Sequence, residues 1–195
     1  MSGLSEHHGQ LLVKLARTTI ADQLGRQLSE NAVDPDRLED DIFQARYATF
    51  VTLTLEGQLR GCIGSLSAVE PVAANVKKNA VNAAFHDPRF SPLSAEEFER
   101  VLIDISILSE PVRLDYSDAD DLLAKLRPGI DGVLIRKGAA SATFLPQVWE
   151  QLPAPQDFLG HLCLKAGLSS KAWRRGDLEV QIYQVQYFKE MKLDQ

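Results

Sequence analysis

Cysteine, tryptophan and methionine are scarce in this 195-residue chain, with two of each. Cys62 and Cys163 allow at most one bridge, which excludes a disulfide scaffold, and in a reducing compartment both are read as free thiols. Long apolar runs are missing too. The longest stretch without a charged residue, Gly138 to Trp149, is far short of the roughly 20 residues a membrane-spanning helix needs and contains Pro146. The first ten residues lack the basic n-region and apolar h-region of a signal peptide, so a cytoplasmic protein is expected. His7 and His8 are read as solvated residues of a frayed terminus. Positive charge is also in deficit: 21 Lys and Arg stand against 27 Asp and Glu, a net charge of −6, so no global positive field draws the chain onto nucleic acid. There is no Walker motif, and Gly57, Gly61 and Gly64 do not have dinucleotide-fingerprint spacing. His86, His161 and Cys163 lack metal-ligand spacing, so neither a metal nor a cofactor is expected.

What is present is an ordinary globular composition, 45% hydrophobic and 25% charged. At this length folding buries about 70% of the surface the unfolded chain exposes, enough for a core without staples. One domain over residues 1–195, or a domain with a small lobe, is expected. Leu11, Leu12, Leu15, Ile20, Leu24 and Leu28 form an amphipathic stripe over Gln10 to Leu28, followed by a polar loop from Asn31 to Glu39. Tyr47 to Leu55 and Gln58 to Ile63 read as a hairpin turning at Glu56-Gly57. Val72 to Phe85 reads as a helix that stops before Asp87-Pro88. Ser94 and Glu97 form a capping-box signature ahead of a strand through Val101, Ile103, Ile105 and Ile107. A helix over Asp118 to Leu126, strands over Gly132 to Arg136 and Ser141 to Leu145, and a helical face from Phe158 to Ala166 follow. Pro153 and Pro155 read as breaks. Leu178 to Phe188 reads as one strand with a bulge near Gln184, where apolar parity shifts. Hairpins interleaved with helices predict an α+β fold with a mixed, partly antiparallel sheet flanked by helices.

Chemistry concentrates in two stretches. In Leu59-Arg60-Gly61-Cys62-Ile63-Gly64, glycines flank a cysteine within a strand pattern, which implies close approach to that backbone. On a period of two, Arg60 and Cys62 share a face, where a guanidinium would favour the nucleophilic thiolate; Arg60 is equally suited to an anionic ligand. The plainer alternative is a small packed cysteine beside a bulge, with Arg60 paired to a surface carboxylate. In His86-Asp87-Pro88-Arg89-Phe90-Ser91-Pro92, two prolines stiffen a loop in which Asp87 is a candidate base and Arg89 a candidate anion clamp. Its plainer alternative is a turn closed by an Asp87–Arg89 pair. The topology is expected to bring Asp87 and Arg89 beside Cys62, bordering one pocket for a polar ligand. A lesser candidate is the cluster Lys171, Arg174 and Arg175 around Trp173, readable as a polyanion-stacking surface or as a solvated basic face.

These stretches resemble the AMMECR domain family, whose bacterial members are called AmmeMemoRadiSam system protein A. The LRGCIG segment Leu59–Gly64 is joined by Asn82-Ala83-Ala84, Asp87-Pro88-Arg89-Phe90-Ser91-Pro92-Leu93, Gly129-Ile130-Asp131-Gly132-Val133, Thr143-Phe144-Leu145-Pro146-Gln147-Val148-Trp149, Phe158-Leu159 and Lys165-Ala166-Gly167-Leu168, so the resemblance covers nearly the whole chain. It implies a larger lobe plus a small lobe with a cleft between, the signature cysteine near that cleft, and association with a Memo-type protein and a radical SAM enzyme. It points to Cys62, Arg60, Asp87 and Arg89 as site residues and to Gly61 and Gly64 as ligand-contacting backbone, and it assigns no fixed role to the position of His86. The leading expectation is an enzyme or enzyme component using the Cys62 thiol as nucleophile or carrier. The alternatives are a non-catalytic adaptor that docks those partners and, last, a nucleic-acid-associated protein.

Overall fold

The computed structural model describes residues 4–26 and 40–190. The expected helical residue Leu28 and the Asn31 to Glu39 loop lie outside these residues. The described elements are helices α1 (Glu6–Gln23), α2 (Asp41–Gln44), α3 (Val72–Phe85), α4 (Ala95–Arg100), α5 (Ala119–Lys125) and α6 (Pro155–Lys165), and strands β1 (Ala48–Leu55), β2 (Gln58–Gly64), β3 (Val101–Leu108), β4 (Val112–Arg113), β5 (Gly132–Lys137), β6 (Ala140–Phe144), β7 (Glu179–Tyr183) and β8 (Val185–Lys189). The fold is α+β, with two four-stranded sheets in the orders β2-β1-β3-β8 and β4-β7-β5-β6. The ladders β1–β2, β1–β3, β4–β7, β5–β6 and β5–β7 are all antiparallel, which replaces the expected mixed sheet. Short turns join the hairpins, and antiparallel neighbours need nothing longer.

The chain divides into two compact units. The first runs to Leu108 and resumes at Gln186; the second is Ser109–Val185. In the first unit, the core-facing side of the sheet presents Val51, Leu53, Val101, Ile103, Ile105 and Ile107 to apolar residues of α1 and α3. This is the alternation of strands with one buried face. Helix α1 starts earlier than the apolar stripe, because Ser5 caps it: the His8 N–H donates to Ser5 Oγ at 3.2 Å and the Ser5 N–H to His8 Nδ1 at 3.3 Å. His7 and His8 therefore belong to the first helical turn, not to a frayed end. Arg17 of α1 ties three elements together, donating to the Phe98 and Val101 carbonyls and pairing with Glu190.

In the second unit, Trp149 stacks on Phe158 with centroids 3.7 Å apart, and its Nε1–H donates to the Asp131 carbonyl at 2.7 Å. The Asp131 carboxylate is fully buried and accepts from the Arg127 N–H and guanidinium. Pro155 does not break the chain. It opens α6, because proline lacks only an N–H that the first helical turn leaves unpaired. The parity shift near Gln184 is not a bulge: β7 ends at Tyr183 in one sheet and β8 begins at Val185 in the other.

One buried polar group set stands out between α3 and β1. Thr49 Oγ1–H donates to Asn75 Oδ1 at 2.8 Å, and Asn79 Nδ2 donates to Thr49 Oγ1 at 2.9 Å and to the Thr49 carbonyl at 3.2 Å. All three residues are buried. Asn79→Ala would leave Thr49 Oγ1 without its donor away from water, whereas the Thr49 carbonyl keeps the Ser65 N–H, and an unmade buried hydrogen bond costs about 1–3 kcal/mol. We predict that urea unfolding shows Asn79→Ala destabilised by about 2–3 kcal/mol. A change within about 0.5 kcal/mol, the range of a neutral surface substitution, would contradict it.

Candidate functional site

Strand β2 is an edge strand, and its sequence makes it an irregular one. Glu56 and Gly57 turn the hairpin with φ of 52° and 79°, the left-handed pair that a two-residue hairpin requires. Leu59 then pairs with Thr54 but Gly61 with Leu53, so Arg60 is an extra residue, a bulge that breaks the simple alternation. Gly61 is required by sterics: a Cβ there would stand 2.2 Å from the Ala83 carbonyl oxygen on α3. At Gly64 it would collide with the Phe50 ring and the Thr49 carbonyl. The two glycines thus admit a helix backbone and an aromatic ring of the chain itself.

The bulge decides what Arg60 does. Its buried guanidinium donates through Nε to Glu97 Oε1 at 2.8 Å, and through Nη2 to Glu97 Oε2 at 3.0 Å and to the Ser91 carbonyl at 2.9 Å. Arg60 is therefore committed to a carboxylate and a loop carbonyl, the plainer of its two readings. The pairing, led by the hydrogen bonds from Arg60 and helped by the Ser94 N–H, lowers the Glu97 pKa to about 2. Glu97 also closes the capping box of α4 with Ser94, as its spacing predicts.

Asp87 and Arg89 do reach Cys62, through its main chain. Asp87 is buried, and its Oδ2 accepts the Cys62 N–H at 2.9 Å. The Arg89 guanidinium grips the same carboxylate, Nε to Oδ1 at 2.9 Å and Nη2 to Oδ2 at 2.7 Å, while Nη2 also donates to the Cys62 carbonyl at 3.1 Å. The loop therefore satisfies both outward-facing polar groups of Cys62, as a neighbouring strand would. The Arg89 hydrogen bond, with the N–H groups of Cys62 and Arg89, holds the Asp87 carboxyl well below the usual carboxylate range against the opposing effect of burial. The turn reading of Asp87 is realised as well, since the Arg89 N–H donates to Oδ1 at 3.1 Å.

The Cys62 thiol is half-buried, and the Thr52 hydroxyl of β1 donates to its Sγ at 3.3 Å. Thr52 is a site residue the sequence analysis did not single out, although the hairpin register pairs it with Cys62. Cys163, by contrast, is fully buried in the second unit, and burial pushes its thiol pKa up. His86 is exposed, with Nδ1 3.3 Å from Asn82 Oδ1. Trp173 is buried and offers no face for base stacking; Arg174 lies over its ring at 5.0 Å. Hollows of about 210 and 110 Å³ occur in the second unit, and Cys62, Asp87 and Arg89 line neither. Among the described residues no group of three or more His, Cys, Asp and Glu is placed to hold a metal ion, and no helix is long and apolar enough to cross a membrane.

An α+β protein of two antiparallel sheets, with a cysteine on a bulged edge strand held by an Asp-Pro-Arg loop, is the class that this geometry defines. The chain belongs to the AMMECR1 family, whose model matches residues 13–188. It is 36% identical to a protein of Thermofilum pendens over 97% of this chain and 93% of that one. It is 38% identical to one of Sulfurisphaera tokodaii over 97% and 85%. Among solved structures, uncharacterized protein PH0010 from Pyrococcus horikoshii shares the fold with a TM-score of 0.80 and 30% identity, over 93% of this chain and 91% of that one.

Both site carboxylates have folded-state pKa values below their ordinary ones. The unfolded chain therefore binds more protons as pH falls below about 4.5, and stability drops through that window. Glu97 keeps contact with water, so losing Arg60 costs less than the about 3–5 kcal/mol of a wholly buried pair. We predict that Arg60→Ala destabilises by about 1.5–3 kcal/mol at pH 7 in urea unfolding, the range for hydrogen bonds to a charged group. The loss shrinks as pH falls from about 4.5 toward 2, where Glu97 becomes protonated. An equal loss at pH 7 and pH 3 would show that the pair is not its source.

Proposed function

We propose that this protein is an enzyme or enzyme component in which the Cys62 thiol is the nucleophile or carrier group, acting together with a Memo-type protein and a radical SAM enzyme. The observation that carries the reading is the fixation of Cys62 on both sides of its backbone. One edge is paired with β1, the other is held by Asp87 and Arg89, and the thiol is left half-buried beside a hydroxyl donor. A cysteine that only filled space would not need its N–H and carbonyl fixed by a buried carboxylate and its arginine. In this reading Asp87 and Arg89 position the nucleophile. Arg60 shapes the bulge, tying β2 to Glu97 and to the Ser91 carbonyl.

Two measurements test the proposal. Iodoacetamide is expected to label Cys62 well ahead of the fully buried Cys163 in the folded protein; equally slow labelling of both would remove the nucleophile. In a reconstituted mixture of the three proteins, Cys62→Ser is expected to abolish turnover while leaving their association intact. Lost association without a separate loss of turnover would instead make the protein an adaptor.

A further inference from the structure

The hollow of about 210 Å³ in the second unit is lined by residues of α6 and of the 3₁₀ turn Ala172–Arg175, and Gly160 is the odd residue among them. It sits in the middle of α6, where glycine is the least favourable residue after proline. Neither usual reason for a glycine applies. Its backbone is ordinary helix, and a Cβ would meet nothing nearer than the Ser170 carbonyl oxygen at 3.5 Å, an ordinary contact. Gly61, by contrast, has no room for a Cβ at all. The side chain missing at Gly160 leaves open space in a buried position, and that space opens into the hollow the glycine lines.

The lining is part apolar and part cationic. Leu164, one turn beyond Gly160 on the same helix face, lines the hollow while remaining 56% exposed, and the 3₁₀ turn contributes the buried Trp173. Arg174 lies over the Trp173 ring at 5.0 Å, a contact that orders its guanidinium, and Lys171 lines the same hollow. Neither cation makes an ion pair with the described residues, whereas Arg113, Lys125, Arg127 and Lys137 of this unit are all held by aspartates. Asp157 is the one carboxylate on the lining. The hollow is therefore net positive, in a chain whose net charge is −6.

Size and charge together select the occupant. An apolar cavity of about 150 Å³ holds benzene, and small-molecule sites begin near roughly 300 Å³, so this hollow takes one large side chain and not a cofactor. We infer that it is the socket for an acidic peptide segment of a partner protein, which seats one large apolar side chain against Leu164 and Trp173 and sets flanking Asp or Glu carboxylates on Lys171 and Arg174. Anchors seated in pockets and ringed by polar contacts carry most of the energy of protein interfaces. Nucleic acid matches the charge, but it has no aliphatic anchor and Trp173 offers no open face to a base. The inference stands apart from the reading of Cys62, which lies in the first unit.

The test is selection of random phage-displayed peptides on the full-length protein, followed by fluorescence polarisation of labelled synthetic copies of the enriched sequences. These are expected to share one large apolar residue flanked by Asp or Glu, and to bind less tightly as salt rises. Gly160→Leu fills the socket from within, so it is expected to weaken binding about tenfold or more while melting no lower than the unmodified protein. Lys171→Glu combined with Arg174→Glu should weaken binding by a similar factor, as should alanine in place of the peptide's apolar residue. Enriched peptides that bind both variants as tightly as the unmodified protein dock elsewhere and overturn the inference, as does a selection that yields basic peptides or none. If leucine at this position prevents folding, the charge-reversed variant decides alone: binding that it leaves intact refutes the socket. Self-association of the protein, measured by sedimentation and lost in the charge-reversed variant, would seat a second copy there and refute a separate partner.

Discussion

The Asp87 carboxylate is the interaction on which the site depends. It accepts the Cys62 N–H from outside the sheet, and without an acceptor there the edge of β2 would expose a polar group beside a bulge that already disrupts the ladder. The carboxylate stays charged in a buried position because Arg89 grips it with two nitrogens and also reaches the Cys62 carbonyl. Proline after Asp87 stiffens the loop, and the Leu93 N–H anchors its far end to the Ala84 carbonyl of α3 at 2.8 Å. Helix, loop and edge strand are thereby fixed to one another around a single residue, and that residue carries the thiol.

The second unit solves a similar problem with the same chemistry. Asp131 is fully buried and held by Arg127, which remains half-exposed, just as Asp87 is held by an exposed Arg89. Here the ion pair orders the backbone entering β5, and the Asp131 carbonyl receives Trp149. The family motifs therefore sort into two sets by contact. The segments around Cys62 and Asp87 meet each other, and the segments around Asp131 and Trp149 meet each other. An exposed arginine over a buried aspartate keeps one side of the pair in water, which lightens the desolvation that a wholly interior pair would suffer.

Much of this was legible in the residues. Helix α3 has the bounds its periodicity predicts, because Val72, Val76, Ala80 and Ala83 form one buried stripe and Pro88 forbids continuation. The Ser94–Glu97 capping box forms both of its bonds. The convergence of Asp87 and Arg89 on Cys62 followed from topology, but their point of attachment did not: a period-two reading has no place for the extra residue at Arg60 and so puts the guanidinium beside the thiol. Thr52 was missed for a related reason. Its place beside the sulfur follows from the cross-strand register, and register is set by pairing across the sheet, which no local pattern in β1 announces. The strand expected across Gln184 failed differently, because two strands in different sheets meet there in sequence.

That last junction governs the order in which the chain can be completed during synthesis. Ser109 and Gln184 sit at the two points where the chain passes between units, and each N–H donates to the other residue, to the Gln184 carbonyl at 2.8 Å and to Ser109 Oγ at 2.9 Å. The intervening segment thus leaves and returns at one place, as an inserted module does. Strand β8 and Glu190, which complete the first sheet and engage Arg17, are made after that whole module. A ribosome releasing the chain from its N-terminus therefore presents the thiol-bearing strand early, in a sheet that still lacks its last strand. The later-made inserted module can close first.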